Sequence, residues 1–185
     1  MKKLVFVLIS VLVLVCLNSC LTLVDELSDR NSYSTHTYSS KYGKEPISKE
    51  GTIVVYVNLK DYGFQRPFEQ ELKNQLEKEG FKVEMMSDYN YTSNNFFDVL
   101  YSLNPKYFME VSFVSGSLYT YEHGGGISSI SFDVNVYDEE TIEVIMKMSS
   151  SVSGKHNNLE GYVSTEQSVS KLLSRDIVQE FCKYL

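Results

Sequence analysis

The period of apolar and polar positions changes several times along the chain. An apolar run from Leu4 to Leu17, broken only by Ser10, follows Lys2 and Lys3. From Leu21 to about Glu50 little apolar period survives, and Ser, Thr and Tyr dominate between Ser28 and Tyr42. That stretch reads as a flexible tether, although its tyrosines leave room for part of it to dock on a partner or to add an edge strand. A folded-domain pattern starts at Thr52. Ile53-Val54-Val55-Tyr56-Val57 is a nearly continuous β-branched run, as in a strand buried on both faces. Pro67 opens a helix carrying Phe68, Leu72 and Leu76, and Gly80 stands where the left-handed residue after a helix belongs. Phe81, Val83 and Met85 then alternate as a second strand. Asn94 or Asn95 caps a second helix with Phe96, Phe97, Val99, Leu100 and Leu103, stopped by Asn104-Pro105.

Beyond Pro105 the period becomes two. Tyr107, Met109, Val111 and Phe113 share one face of a third strand. Ile130, Phe132, Val134 and Val136 alternate with Ser129, Ser131, Asp133 and Asn135 in a fourth. A turn at Asp138-Glu139-Glu140-Thr141 leads into Ile142, Val144, Met146 and Met148. These read as an antiparallel meander with one wet face. Ser164 with Gln167 resembles a capping box, and Val169, Leu172, Leu173, Ile177, Phe181 and Leu185 form the stripe of a last helix. The order is β-α-β-α-β-β-β-α. Right-handed crossovers then give a single α/β domain, a mixed five-stranded sheet of order 2-1-3-4-5 with three helices.

The amino-terminal run of about 14 residues suits a signal peptide and falls short of the roughly 20 needed to span a bilayer. It ends in Leu17-Asn18-Ser19-Cys20, which resembles the lipobox of bacterial lipoproteins: aliphatic at −3, small at −1, cysteine at +1. The resemblance implies cleavage between Ser19 and Cys20, a diacylglycerol thioether on Cys20 and an N-acyl (palmitate-type) chain. Several acyl chains anchor far better than one. The competing reading is an ordinary signal peptide cut elsewhere, but no A-x-A-like site lies nearby. The chain therefore divides into a signal (1–19), a lipidated tether (20–50) and a globular domain (51–185). Leu21 is not the Asp that retains some lipoproteins in an inner membrane, so in a cell with two membranes the periplasmic face of the outer one is favoured.

Composition narrows the partners. Loss of Lys2 and Lys3 leaves 15 basic against 24 acidic residues, a mature charge of about −9. Such a surface argues against nucleic acid and against electrostatic adhesion to anionic lipid. Cys16 leaves with the signal and Cys20 is acylated, so Cys182 is left without an intrachain disulfide partner.

The domain resembles a superfamily of envelope lipoproteins. It comprises the amino-terminal domain of the Tol-Pal propeller protein, the curli-secretion lipoprotein and the outer-membrane lipoproteins that activate penicillin-binding proteins. The likeness rests on the opening strand Thr52–Leu59, the helix ending in Gly80-Phe81-Lys82-Val83, the strand entered by Asn104-Pro105-Lys106-Tyr107, the two-strand unit Ser131–Met148 and the closing helix. The Tyr137-Asp138-Glu139-Glu140-Thr141 turn lacks the usual glycine, and Ile145 stands where an aromatic is common. The resemblance implies a protein that binds other envelope proteins and is not an enzyme.

Local chemistry adds little to that expectation. His36, His123 and His156 have no helical ligand spacing, so no metal and no cofactor beyond the acyl groups is expected. Glu122-His123-Gly124-Gly125-Gly126 reads as a mobile loop between the third and fourth strands, and His123, Gly124, Gly125 and Gly126 as a contact loop. It lacks the helix and Lys-Ser/Thr of a phosphate loop. Tyr62, Tyr89, Tyr91, Tyr119 and Tyr121 are candidate recognition tyrosines, since Tyr gives contact area at low entropic cost. No nucleophile elbow or activated cysteine is visible. The leading reading is a non-enzymatic interaction or assembly module with another envelope protein as partner, self-association remaining open; the alternative is a small-ligand or lipid carrier.

Overall fold

The direction of each crossover decides which face of the sheet a helix covers. β2 (Thr52–Asn58) pairs in parallel with β3 (Lys82–Met85) on one side and with β4 (Tyr107–Tyr121) on the other. Helix α1 (Gln65–Lys78) joins β2 to β3, and α2 (Phe96–Ser102) carries the chain back past β2 to β4. The two crossings run in opposite senses, so right-handedness sends their helices to opposite faces. Alternation within β2 agrees. Val54 packs with Leu100 of α2 and with Met86, while Ile53, Val55 and Val57, also buried, point the other way. β5 (Gly124–Asp138) and β6 (Val144–Gly154) then extend the sheet antiparallel from β4, and α3 (Tyr162–Cys182) packs beside α1 against β5 and β6. The structure is a computed structural model that describes residues 33–59, 65–121, 124–140, 142–154 and 162–185. Ser34–Leu185 make up one unit of it.

The α1/α3 side is filled. Phe68, Leu72 and Leu76 of α1 and Val169, Leu173, Ile177 and Phe181 of α3 are fully buried over Met109, Val111, Ile130, Phe132, Val134, Val136 and Met146. Phe68 stacks on Phe132 with ring centroids 5.8 Å apart, and Phe81 meets Phe181 at 5.4 Å. Each such side chain contributes roughly 1.5–3 kcal/mol by leaving water. The helices stop where the sequence signals stops. Gly80, at φ 91°, follows α1 with Gly80 N–H donating to Glu77 O and Phe81 N–H to Leu76 O, a Schellman closure. Asn104, at φ 47°, follows α2, and the buried Pro105 begins the extended run into β4.

The sheet corrects the expected five strands. It has six, in the order β1-β6-β5-β4-β2-β3. The five anticipated strands keep their order, and the sixth, β1 (Tyr33–Lys41), lies in the segment read as tether. Its contacts run against β6: Ser34 meets Ser153, Thr37 meets Ser150, and the N–H groups of Tyr42 and Gly43 donate to Ile145 O. β1 has no apolar period because polar pairs hold it down. Thr35 hydrogen-bonds Asp176, and Ser39 donates to Glu180 and shares a bond with Tyr184. Farther along, Ile47 is buried and its N–H donates to Tyr184 O at 2.8 Å. Three smaller differences follow from element ends. Leu185 lies past the end of α3 and is exposed, α3 begins at Tyr162 upstream of Ser164, and Ile142 precedes β6 rather than belonging to it.

Two outcomes test this account. Gly80→Ala should lower the unfolding free energy by about 1 kcal/mol through the left-handed backbone alone, because a Cβ there meets nothing nearer than Lys49 Cδ at 3.9 Å. Gly51→Ala should cost more, since its Cβ falls 2.7 Å from Lys106 Cβ at a φ of 91°. Denaturant midpoints of the two variants rank them. The second concerns pH. Burial acts to raise the Glu180 carboxyl, but hydrogen bonds from Lys183 and Ser39 outweigh it and hold the group below its ordinary 4.5. A depressed carboxylate stabilises the fold fully above that ordinary value and loses its contribution as pH falls through the lower folded value. Wild type should thus exceed Glu180→Gln in melting temperature at neutral pH, with the gap closing in acid; a gap that widens in acid would contradict the assignment.

Candidate functional site

The sheet face opposite α1 and α3 carries α2 over β2 and β4, and beyond it the strands present Asp133, Asn135, Lys147 and Ser149, with Tyr38 from β1, to solvent. Where that open face meets α2, the side chains change from polar to aromatic. Tyr56, Phe108, Glu110 and Tyr137 form the floor of a groove of about 630 Å³. Their spacing is set by strand register: Tyr56 lies opposite Glu110, and Phe108 opposite Tyr137. One wall comes from Tyr91 and from Phe96, Phe97 and Tyr101 of α2; the other comes from Pro105 and the β5–β6 turn, Asp138, Glu139 and Ile142.

Phe96 ties wall to floor. Its ring meets Tyr56 at 5.1 Å, Phe97 at 5.4 Å, Tyr91 at 5.5 Å and Phe108 at 6.1 Å, all edge-to-face. Such pairs are worth about 0.5–1.5 kcal/mol each beyond the area they bury. α2 reaches this position without a side-chain cap: Asn95 Oδ1 accepts from the N–H and hydroxyl of Thr92 instead of turning to the helix. Phe97, Tyr101 and Ile142 are 63%, 49% and 68% exposed. Since all three stand on the rim of one groove, they make a patch rather than scattered surface residues.

The groove's electrostatics are one-signed. Its charged lining residues, among those described, are Glu110, Asp138 and Glu139. The Tyr137 hydroxyl donates to Glu110 Oε2 at 3.2 Å. Burial raises the Tyr56 and Tyr137 hydroxyls above the ordinary phenol value, and the Glu110 charge adds to both; burial raises Tyr91 as well, with Tyr56 and Glu69 adding. These phenols therefore stay protonated at neutral pH. Among the described residues no group of three or more His, Cys, Asp or Glu is arranged to hold a metal, and no helix is long and apolar enough to cross a membrane. Cys182 is half-buried, and burial with Glu79 pushes its thiol up.

The residues singled out from sequence scatter. Ser19, Cys20, His123 and Tyr62 lie outside the described residues. Gly124, Gly125 and Gly126 are not a loop: they open β5, paired with Tyr121, Thr120 and Tyr119 of β4. Tyr89 follows the 3₁₀ turn Met86–Asp88 and donates to Glu84 at 2.9 Å, away from the groove. Of that set, Tyr91 lines it. Sequence reasoning missed Tyr56, Phe97, Tyr101, Glu110 and Ile142. Two signals pointed there: adjacent phenylalanines on a helix diverge by about 100° and cannot both face one core, and a carboxylate interrupts the apolar strand at Glu110.

The groove defines the chain as a mixed α/β domain with one face filled and one face left open around aromatic side chains. No protein-family model and no curated protein matches the chain. Among solved structures it is similar to the PelC dodecamer from Paraburkholderia phytofirmans at 10% identity, over 80% of this chain and 97% of that one, with a TM-score of 0.57. The lipoprotein GNA1162 from Neisseria meningitidis aligns at 10% identity, over 72% of this chain and 99% of that one, with a TM-score of 0.47. At 10% identity the likeness to PelC is one of fold.

Ile142 allows a direct test of the rim. A β-branched residue at φ 55° is strained by about 1–2 kcal/mol, and its exposure leaves little burial to offset that. Ile142→Gly should therefore leave chemical stability unchanged or raise it by up to about 1 kcal/mol. A clear loss in the denaturation curve would show that the side chain holds the turn rather than the groove.

Proposed function

We propose that this chain is a lipoprotein of the bacterial envelope, anchored through acyl groups on Cys20, whose domain is a non-enzymatic docking module for another envelope protein. The observation that carries this reading is the open aromatic groove beside a filled core: Phe97 and Tyr101 are held at the surface by a fold that fully buries Phe68, Phe132 and Phe181. Aromatic anchors on a rigid floor suit protein recognition. The superfamily resemblance of the sequence agrees, and so does the absence of a catalytic set in the motifs. The lipobox favours the periplasmic face of the outer membrane in a cell with two membranes. PelC, whose fold is similar, is a dodecamer, which makes a second copy of this chain one candidate partner.

A small-ligand carrier is the second reading, favoured by the groove's volume, about 630 Å³, within the roughly 300–1,000 Å³ usual for ligand sites. A photocrosslinking amino acid at position 97, compared with one at the exposed Glu77 of α1, separates the two in native envelopes. Docking predicts a protein adduct at 97 and little at 77, and an adduct of doubled mass identifies self-association. Equal yields at both positions would overturn the docking role, and a small molecule crosslinked at 97 in place of a protein would favour the carrier.

A further inference from the structure

Resting on the docking reading, we propose that the groove receives a basic side chain of the partner, an arginine above all, and that Glu110 is its counter-charge. The charge pattern excludes the alternatives in turn. Among the described residues no Lys, Arg or His lines the groove, while Glu110 stands on its floor and Asp138 and Glu139 at its edge. An anionic group would meet three carboxylates. A purely apolar group would strip water from Glu110 without replacing it, and an unpaired buried charge is costly. A cation does neither.

Glu110 is available for this. Among the described residues its hydrogen bond comes from the Tyr137 hydroxyl, to Oε2, and no cation stands against it. Asp88, Asp176 and Glu180, by contrast, each stand against a cation: Lys73, Arg175 and Lys183. The rings favour a planar cation. Phe108 and Tyr137 lie side by side, 5.7 Å apart and tilted by 31°, next to Glu110, and Phe97 and Tyr101 lie 6.3 Å apart and 28° from parallel on the wall. A guanidinium stacks on aromatic faces while its N–H fork meets a carboxylate, which an ammonium cannot do in the same geometry. The apolar rim of Phe97 and Ile142 suits aliphatic or aromatic neighbours of that arginine.

The test uses the full lipidated chain in a neutral detergent and isothermal titration calorimetry with acetyl-Leu-Arg-Phe-amide. The probe's citrulline counterpart has nearly the same shape without the charge. The arginine peptide should bind about tenfold or more tightly than the citrulline peptide, and Glu110→Gln should remove that preference while the melting temperature holds. Equal affinities, no binding of either peptide, or an undiminished arginine preference in a folded Glu110→Gln would each overturn the proposal. If Glu110→Gln does not fold, the comparison of the two peptides on wild type still decides. A protein adduct at position 97 with no arginine preference would leave the docking reading standing and remove only the cationic one; absence of the adduct removes the docking reading itself.

Discussion

The handedness of two crossovers organises the molecule. Because the chain leaves β2 for β3 and then returns across β2 to β4, right-handed connections place α1 and α2 on opposite faces. The face with α1 is completed by α3, which arrives after the antiparallel strands and packs against α1. The face with α2 receives no second helix among the described residues. A single helix is about 10–12 Å wide with its side chains, whereas six strands span about 24 Å. Cover on that side therefore ends partway across the sheet, and the aromatic groove is the boundary.

The two faces solve exposure differently. One excludes water with rings and branched side chains packed from α1, α3 and the strands. The other stays wet over β5, β6 and β1, where Asp133, Asn135, Lys147 and Ser149 project. Such polar cover keeps an open sheet from associating indiscriminately, and Phe97, Tyr101 and Ile142 gather on the rim of one groove beside it.

Most of the fold was legible because burial imposes period. The β-branched run at Ile53, the strict alternation from Ile130 to Val136, and the stops at Gly80 and Asn104-Pro105 each mapped onto the structure. β1 was anticipated only as an edge-strand alternative to the tether, since hydroxyl pairs with Asp176 and Glu180 replace the apolar alternation that marks a strand. Gly124–Gly126 misled in the opposite sense: a glycine run signals a turn by propensity, but here pairing across from Tyr119–Tyr121 decides. The groove was hidden for a third reason. Phe96 and Phe97 both fit an amphipathic helix by composition, and only the shortness of α2 and the position of the β5–β6 turn determine which is left at the surface.

The floor of the groove has a metrical property. Tyr56, Glu110 and Phe108, and Tyr137 sit on three neighbouring strands, β2, β4 and β5, whose separation is fixed near 4.8 Å by backbone hydrogen bonds. Substitution can change what each position offers, but not the interval between them. The floor thus acts as a ruler of constant graduation, and adaptation to a new binding partner falls to the walls, where a short helix and a strained turn can shift without disturbing the scale.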